Sequence, residues 1–286
     1  MTTETITDQY GFGRVAIPDA RDGLYPMRAV LGPTRGRTGS KHWPNEFPPL
    51  NQGSEGTCVG HGWKHHLLTE PLIQAGPAEE PLATSIYDRA TEIDEWQGNE
   101  RDRTFGTSTR AGAEVLRELG LMAEYRHAQS LDDILDWIAN RGPVVIGCNW
   151  YYGMSYQPFS GDGFLAPIGR LIGGHCVCLT GADFDAQFVV VRNSWGPWWG
   201  PQGNGTGRLR FADLERLIFA EGGDAIAGLE VALGPTPPPT PPEPPAPPTI
   251  NPQFPYQETR PARYDAERDM WIYEFGIQRH TGGWDD

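Results

Sequence analysis

Asn51-Gln52-Gly53-Ser54-Glu55-Gly56-Thr57-Cys58 is the stretch on which the reading of this chain turns. A glutamine stands six residues before a cysteine. The cysteine sits where a Gly-rich loop gives way to an apolar-patterned segment (Val59, Trp63, Leu67, Leu68), the pattern of a helix beginning. A helix dipole and a neighbouring imidazolium can lower a thiol pKa from about 8.5 to as low as ~3–4. Two later stretches supply what such a thiol needs. Gly173-Gly174-His175-Cys176-Val177 brings a histidine, 117 residues on (58 to 175). Val191-Arg192-Asn193-Ser194-Trp195-Gly196 brings an asparagine, 135 residues on (58 to 193). A thiol nucleophile requires a base, a group to orient the base, and donors for the oxyanion. Cys58, His175, Asn193 and Gln52 are the right residue types for those roles.

In this order the three stretches resemble the papain-like cysteine peptidases, over roughly residues 15–232. Ala16-Ile17-Pro18-Asp19-Ala20-Arg21-Asp22 is similar to a leader of bacterial and phage members. The resemblance implies that His175 takes the Cys58 proton and later gives it to the leaving amine, while Asn193 fixes the ring. It implies an oxyanion hole from the Gln52 side chain and the Cys58 backbone N–H, a donor typically worth about 3–4 kcal/mol. Trp195 would shield the Asn193–His175 hydrogen bond. Gly106, Thr107 and Gly174 would border a bound peptide backbone, and Gly147 and Cys176 would line the main specificity pocket. The fold implied is α+β with two lobes, Cys58 on the helical one and His175 on the β one. Two positions depart from the family pattern. Glu55 replaces a disulfide cysteine, which suits a reducing compartment, and Val59 replaces an aromatic expected at the cleft. An activated Cys58 would alkylate well below pH 7.

The remaining chemistry-bearing residues have blander readings. Cys176 and Cys178 alternate on a strand and share the face opposite Val177. A metal reading of His175-Cys176-x-Cys178 is poor, because adjacent strand residues diverge and no second pair follows. Cys148 reads as packing, and His42, His61, His65, His66, His127 and His280 lack partner spacing. No phosphate-cradling loop and no His-Glu-x-x-His helix occurs, so neither metal nor organic cofactor is expected.

Composition and organisation bound the rest. The chain has 286 residues and a net charge of −14 with no basic run, which argues against nucleic acid and anionic membrane as partners. The first residues lack the basic and apolar regions of a signal peptide. No run approaches the ~18 apolar residues of a membrane span. Synthesis in the cytoplasm is expected, with incorporation in a virion as one later destination. Residues 1–50 read as an extended segment wrapping the surface, too short and too poorly helical for an inhibitory pro-region. Residues 51–233 read as the peptidase body, with helices at 85–92, 109–119 and 131–140 and strands at 144–147, 176–180, 188–192 and 207–211. Residues 234–248 form a polyproline spacer reaching ~40 Å at ~3.1 Å per residue. Residues 249–286 hold Trp271, Ile272, Tyr273, Phe275 and Trp284 and read as an anchoring or flexible tail. The expected activity is hydrolysis of an extended peptide or protein through an acyl-thioester. The alternative is a structural protein of a phage particle or other assembly, with the papain-like body as binding module and residues 249–286 as attachment.

Overall fold

Within the long strand Leu171–Asp183, the side chains of Cys176, Val177, Cys178 and Leu179 point alternately to two different cores, and this alternation organises the protein. The computed structural model describes residues 10–32, 36–45, 47–71, 80–94, 96, 103–155, 163–200 and 203–229, together with two short strands at 263–265 and 270–272. The chain divides into two compact units, Met1–Thr236 and Pro237–Asp286. In the second, β8 (Arg263–Asp265) pairs antiparallel with β9 (Met270–Ile272), with Tyr264 opposite Trp271. The polyproline spacer and most of the tail lie outside the described residues.

The first unit is built on an antiparallel sheet. Its strands are β1 (Ser40–His42), β2 (Glu124–His127), β3 (Val144–Tyr151), β4 (Leu171–Asp183), β5 (Phe188–Arg192), β6 (Thr206–Arg210) and β7 (Asp224–Leu229). Their order is β2-β7-β3-β4-β5-β6, and β1 pairs with β4. Val145, Cys176, Cys178 and Ile226 face a helical core. Val144, Ile146, Cys148, Val177, Leu179, Ala225 and Ala227 face a second core rich in tryptophan. A sheet apolar on both faces needs cover on both, and the helices supply it.

On the first face lie α1 (Cys58–Leu67), α2 (Glu80–Ile93) and α3 (Thr109–Glu118). All ten residues of α1 are buried, as expected of a helix enclosed on every side. Small residues make that possible. A Cβ on Gly60 would stand 2.0 Å from the Ala83 carbonyl oxygen of α2, and one on Gly62 would stand 2.8 Å from the Cys176 sulfur of β4. Val59 packs into this core rather than at a cleft wall. On the other face lies α4 (Leu131–Asn140), capped by Ser130, whose hydroxyl accepts from the Asp133 N–H at 3.2 Å.

The helices at 109–119 and 131–140 and the strand at 188–192 sit where the sequence places them. Strand β4 runs well beyond 176–180, and β2 and β7 escape the sequence reading. No described helix is long and apolar enough to cross a membrane.

Candidate active site

Two loops distant in sequence are zipped together at the head of α1. Asn51 and Trp195 form an antiparallel bridge, the Gln52 N–H donates to the Ser194 carbonyl at 2.8 Å, and the Gly196 N–H donates to the Leu50 carbonyl at 2.9 Å. This pairing fixes the Gln52–Cys58 loop against the Asn193–Gly196 turn. The Ser194 hydroxyl donates to Gln52 Oε1 at 2.7 Å. The orientation of the amide is set at its other end, where Nε2 faces the carbonyl oxygens of Gly11 and Glu55, which can only accept.

The same logic sets the histidine. Asn193 Oδ1 accepts from the Ser194 N–H at 2.8 Å and lies 2.7 Å from His175 Nε2. An oxygen already serving as acceptor requires Nε2 to carry the proton, so in the neutral ring Nδ1 bears the lone pair. Nδ1 is buried and has no hydrogen-bond partner among the described residues. Trp195 stacks on the imidazole at 4.5 Å between centroids, and Trp150 meets it edge-on at 4.8 Å. Cys58, His175 and Asn193 are all fully buried. The Cys58 thiol lies against the strand that carries His175, where the Cys176 backbone N–H acts to lower the thiol pKa. Thr57 supplies no side-chain cap to α1. Such an arrangement can deprotonate a thiol, hold the base in one tautomer and present amide donors.

The groove beside these groups is occupied by the chain itself. Residues 10–15 run through it in extended form, in place of the surface course expected for the N-terminal segment. Tyr10 stacks on Trp195 at 4.3 Å, and Phe12 meets His175 edge-on at 5.8 Å. The Gly11 N–H donates to the Gly53 carbonyl at 3.0 Å, and the Gly11 carbonyl accepts from Gln52 Nε2 at 3.2 Å. Gln52 Nε2 also donates to the Glu55 carbonyl at 2.7 Å. The Gly13 backbone N–H acts on the Cys58 thiol in the same sense as that of Cys176, lowering its pKa.

Every residue assigned to peptide binding from the sequence touches this segment or the pocket it fills. The Thr107 N–H donates to the Gly13 carbonyl at 2.9 Å, and the Thr107 carbonyl accepts from the Val15 N–H at 3.0 Å. The Gly174 carbonyl accepts from the Arg14 N–H at 3.0 Å. A Cβ on Gly106 would stand 2.0 Å from the Gly13 oxygen, and one on Gly174 would stand 2.0 Å from the Arg14 oxygen. Gly147 clears space for the Arg14 side chain, whose Nε is 2.7 Å from where its Cβ would be. Cys176 packs against Gly62 of α1 and feels the Arg14 charge. The expectation that no blocking segment is present is thereby corrected. The glycines at 11 and 13 were the available signal: a Cβ at either would stand under 2 Å from a carbonyl oxygen of the nucleophile loop.

Enclosure shifts both reacting groups toward neutrality. Burial pushes the Cys58 thiol up to about 11, against the lowering effect of the Cys176 and Gly13 amides and the Arg14 charge. Burial pulls His175 down to about 4, although its bond to Asn193 works the other way. In this covered state the pair is thiol and imidazole rather than thiolate and imidazolium. The larger physical cause at both groups is desolvation by burial.

Sequence reading missed Arg14, Asp224, Trp150 and Phe12. Where the family has a disulfide cysteine, Glu55 meets Arg103 at 3.3 Å, and Arg103 also pairs with Asp88 at 2.8 Å. That ion pair ties the nucleophile loop to the bend that leads into Gly106. Among the described residues no group of His, Cys, Asp and Glu is arranged to hold a metal.

Solved structures share this fold. Xylellain, a cysteine protease from Xylella fastidiosa, superposes with a TM-score of 0.56 at 18% identity, covering 78% of this chain and 98% of that one. A digestive procathepsin L2 from Tenebrio molitor larval midgut gives 0.56 at 19% identity, covering 80% and 81%. The ragweed pollen cysteine protease Amb a 11 in its proform gives 0.56 at 15% identity, covering 85% and 76%. No known family profile and no curated protein sequence matches the chain. The fold is that of the papain-like cysteine proteases.

Proposed function

We propose that this chain is a cysteine peptidase that hydrolyses peptide bonds through Cys58, His175, Asn193 and Gln52. What carries the reading is the Nδ1 of His175, a buried base with no hydrogen-bond partner among the described residues, its tautomer fixed through Asn193, on the strand that lies against the Cys58 thiol.

The chemistry follows from the geometry. His175 Nδ1 takes the Cys58 proton as sulfur attacks the scissile carbonyl carbon. The carbonyl π electrons move to oxygen, which receives N–H donors from Gln52 Nε2 and the Cys58 backbone. As the tetrahedral intermediate collapses, the imidazolium gives its proton to the departing amine and an acyl-thioester remains. Water then attacks the thioester with His175 again as base, which releases the acid and restores the thiol. Trp195 and Trp150 keep water off the His175–Asn193 bond throughout. Substrate can enter only after residues 10–15 leave the groove.

The test is intact-mass labelling by an epoxysuccinyl thiol reagent on a double variant, Phe12→Ala/Arg14→Ala, in which both side-chain anchors beside Cys58 are gone. One adduct is expected, absent when Cys58→Ala or His175→Ala is added. A folded double variant that stays unlabelled, or one that labels equally well without His175, would overturn the proposal.

A further inference from the structure

The groove holds a pocket built for a cation. Arg14 enters it with a side chain 3% exposed. Its Nε lies 3.2 Å from Asp224 Oδ2, its Nη2 pairs with the same oxygen, and Nη2 also donates to the Gly222 carbonyl at 3.0 Å. Thr109 and Gly147 complete the wall: a Cβ on Gly147 would stand 2.2 Å from Thr109 Oγ1 and 2.9 Å from Asp224 Oδ1. Asp224 opens β7, directly opposite Gly147 of β3, so backbone pairing fixes the carboxylate at the pocket floor. Asp224 Oδ1 is buried and has no hydrogen-bond partner among the described residues. Arg14, threading the groove along Thr107, thus uses one of the two carboxylate oxygens. The other is available to a guanidinium presented at a better angle.

We infer that this pocket selects substrates carrying an arginine close to the scissile bond, with Asp224 as the specificity-determining residue and Arg14 as the chain's own occupant. This rests on the peptidase reading of the cleft. Adjacent residues of the segment, Gly13 at the thiol and Arg14 in the pocket, place the basic residue one or two positions from the cut. Three physical points favour arginine. A planar guanidinium reaches both Asp224 and the Gly222 carbonyl, whereas a lysine ammonium is a single point of charge. An apolar occupant would leave the Asp224 carboxylate desolvated and unpaired, so the pocket rejects leucine as well as accepting arginine. The net charge of −14 attracts basic chains.

The experiment measures binding without turnover. Three peptide amides, identical except for Arg, Lys or Leu at the pocket position, are titrated calorimetrically into the Phe12→Ala/Arg14→Ala/Cys58→Ala chain. The Arg peptide is expected to bind at least tenfold tighter than the Leu peptide, with Lys between. Adding the isosteric Asp224→Asn should bring Arg and Leu to parity while the unfolding midpoint stays near its parent's. Equal or tighter binding of the Leu peptide, an Arg preference that survives Asp224→Asn, or failure of all three to bind would each overturn the inference. Since this readout has no nucleophile, it is separate from the labelling test. Arg-selective binding without labelling leaves the pocket standing and removes the peptidase; labelling without Arg preference does the reverse.

Discussion

The segment in the groove is held at its two ends by different physics. At the Trp195 end, Tyr10 and Phe12 lie on indole and imidazole, so the hold there is aromatic surface taken out of water. At the Asp224 end the hold is ionic and continues past Arg14. Asp19 pairs with Arg110 of α3, and Asp22, 3.3 Å from Arg110 and 3.4 Å from His127 Nε2, is the carboxyl there whose burial outweighs its pairing. Aromatic packing is insensitive to salt and forgiving of angle, whereas a buried ion pair is all-or-none once one partner goes. The difference teaches how such a segment can be both secure and releasable: one end gives adhesion, the other a latch.

The largest effect should come from breaking the latch. Removing one partner of a buried pair costs about 3–5 kcal/mol. Asp224 keeps a side-chain exposure of 25%, so some of its charge is resolvated and the expected loss is about 2–3 kcal/mol. Arg14→Ala should therefore raise the iodoacetamide alkylation rate of Cys58 roughly 30- to 150-fold over wild type. Added salt should not mimic it, because screening reaches buried pairs poorly. A rate within threefold of wild type would place the main hold at the aromatic end.

How much of this is legible in the sequence follows from distance along the chain. The nucleophile loop and the Asn193–Trp195 turn are readable because each packs its chemistry into a few consecutive residues. The helices at 109–118 and 131–140 are readable because their apolar residues recur at helical spacing and a serine precedes each. Strand β2, Glu124-Tyr-Arg-His, carries charge on its outward face and masks its alternation. The pairing of Arg14 with Asp224 joins residues 210 apart, and no local pattern records such a contact. The glycines at 11 and 13 record only that something must approach closely. The thiol's protonation is harder to read for a related reason: helix start and histidine argue for a low thiol pKa, whereas burial, which no local pattern records, pushes the Cys58 thiol up to about 11.

Acidity should separate the two ends by sign. At the aromatic end, burial holds His175 at about 4, below its ordinary value of 6.5. A group depressed in the closed state and normal in the open one favours closure above 6.5 and loses it as pH falls toward 4. At the ionic end, burial raises Asp22 to about 7, assisted by Asp19 and Asp224 and opposed by Arg110. For a carboxyl raised above its ordinary 3.8, closure is favoured at low pH and weakens as pH rises toward 7. Amide-exchange protection of Gly11, corrected for intrinsic rate, should fall by up to about tenfold per unit below pH 6.5. Protection at the Arg21 N–H, which donates to Asp19, should fall instead as pH climbs from about 4 to about 7. Parallel curves at the two sites would mean that the segment opens as one piece.

Trimming the adhesive end should matter less than breaking the latch. A stacked aromatic pair contributes about 0.5–1.5 kcal/mol beyond its buried area. Tyr10→Ala is expected to speed Cys58 alkylation roughly fivefold, and Tyr10→Phe to leave it within about twofold because the stack survives. An effect as large as that of Arg14→Ala would erase the distinction between the ends.

The smallest effect sharpens the distinction from outside the groove. Glu55 and Arg103 form an ion pair in which the side chains are 46% and 33% exposed, so solvent screens it and its contribution should fall between about 0 and 1 kcal/mol. Glu55→Gln should shift the midpoint of urea unfolding only slightly and leave Cys58 alkylation within about threefold. Arg14–Asp224 and Arg103–Glu55 are both arginine–carboxylate contacts, yet Arg14 is shut away from water and Arg103 is not. If Glu55→Gln instead opened the groove as Arg14→Ala does, the nucleophile loop would be coupled to the segment through the backbone. The Gly56 N–H donates to the Arg103 carbonyl at 2.6 Å, and that bond is the route by which a surface charge would then reach the latch.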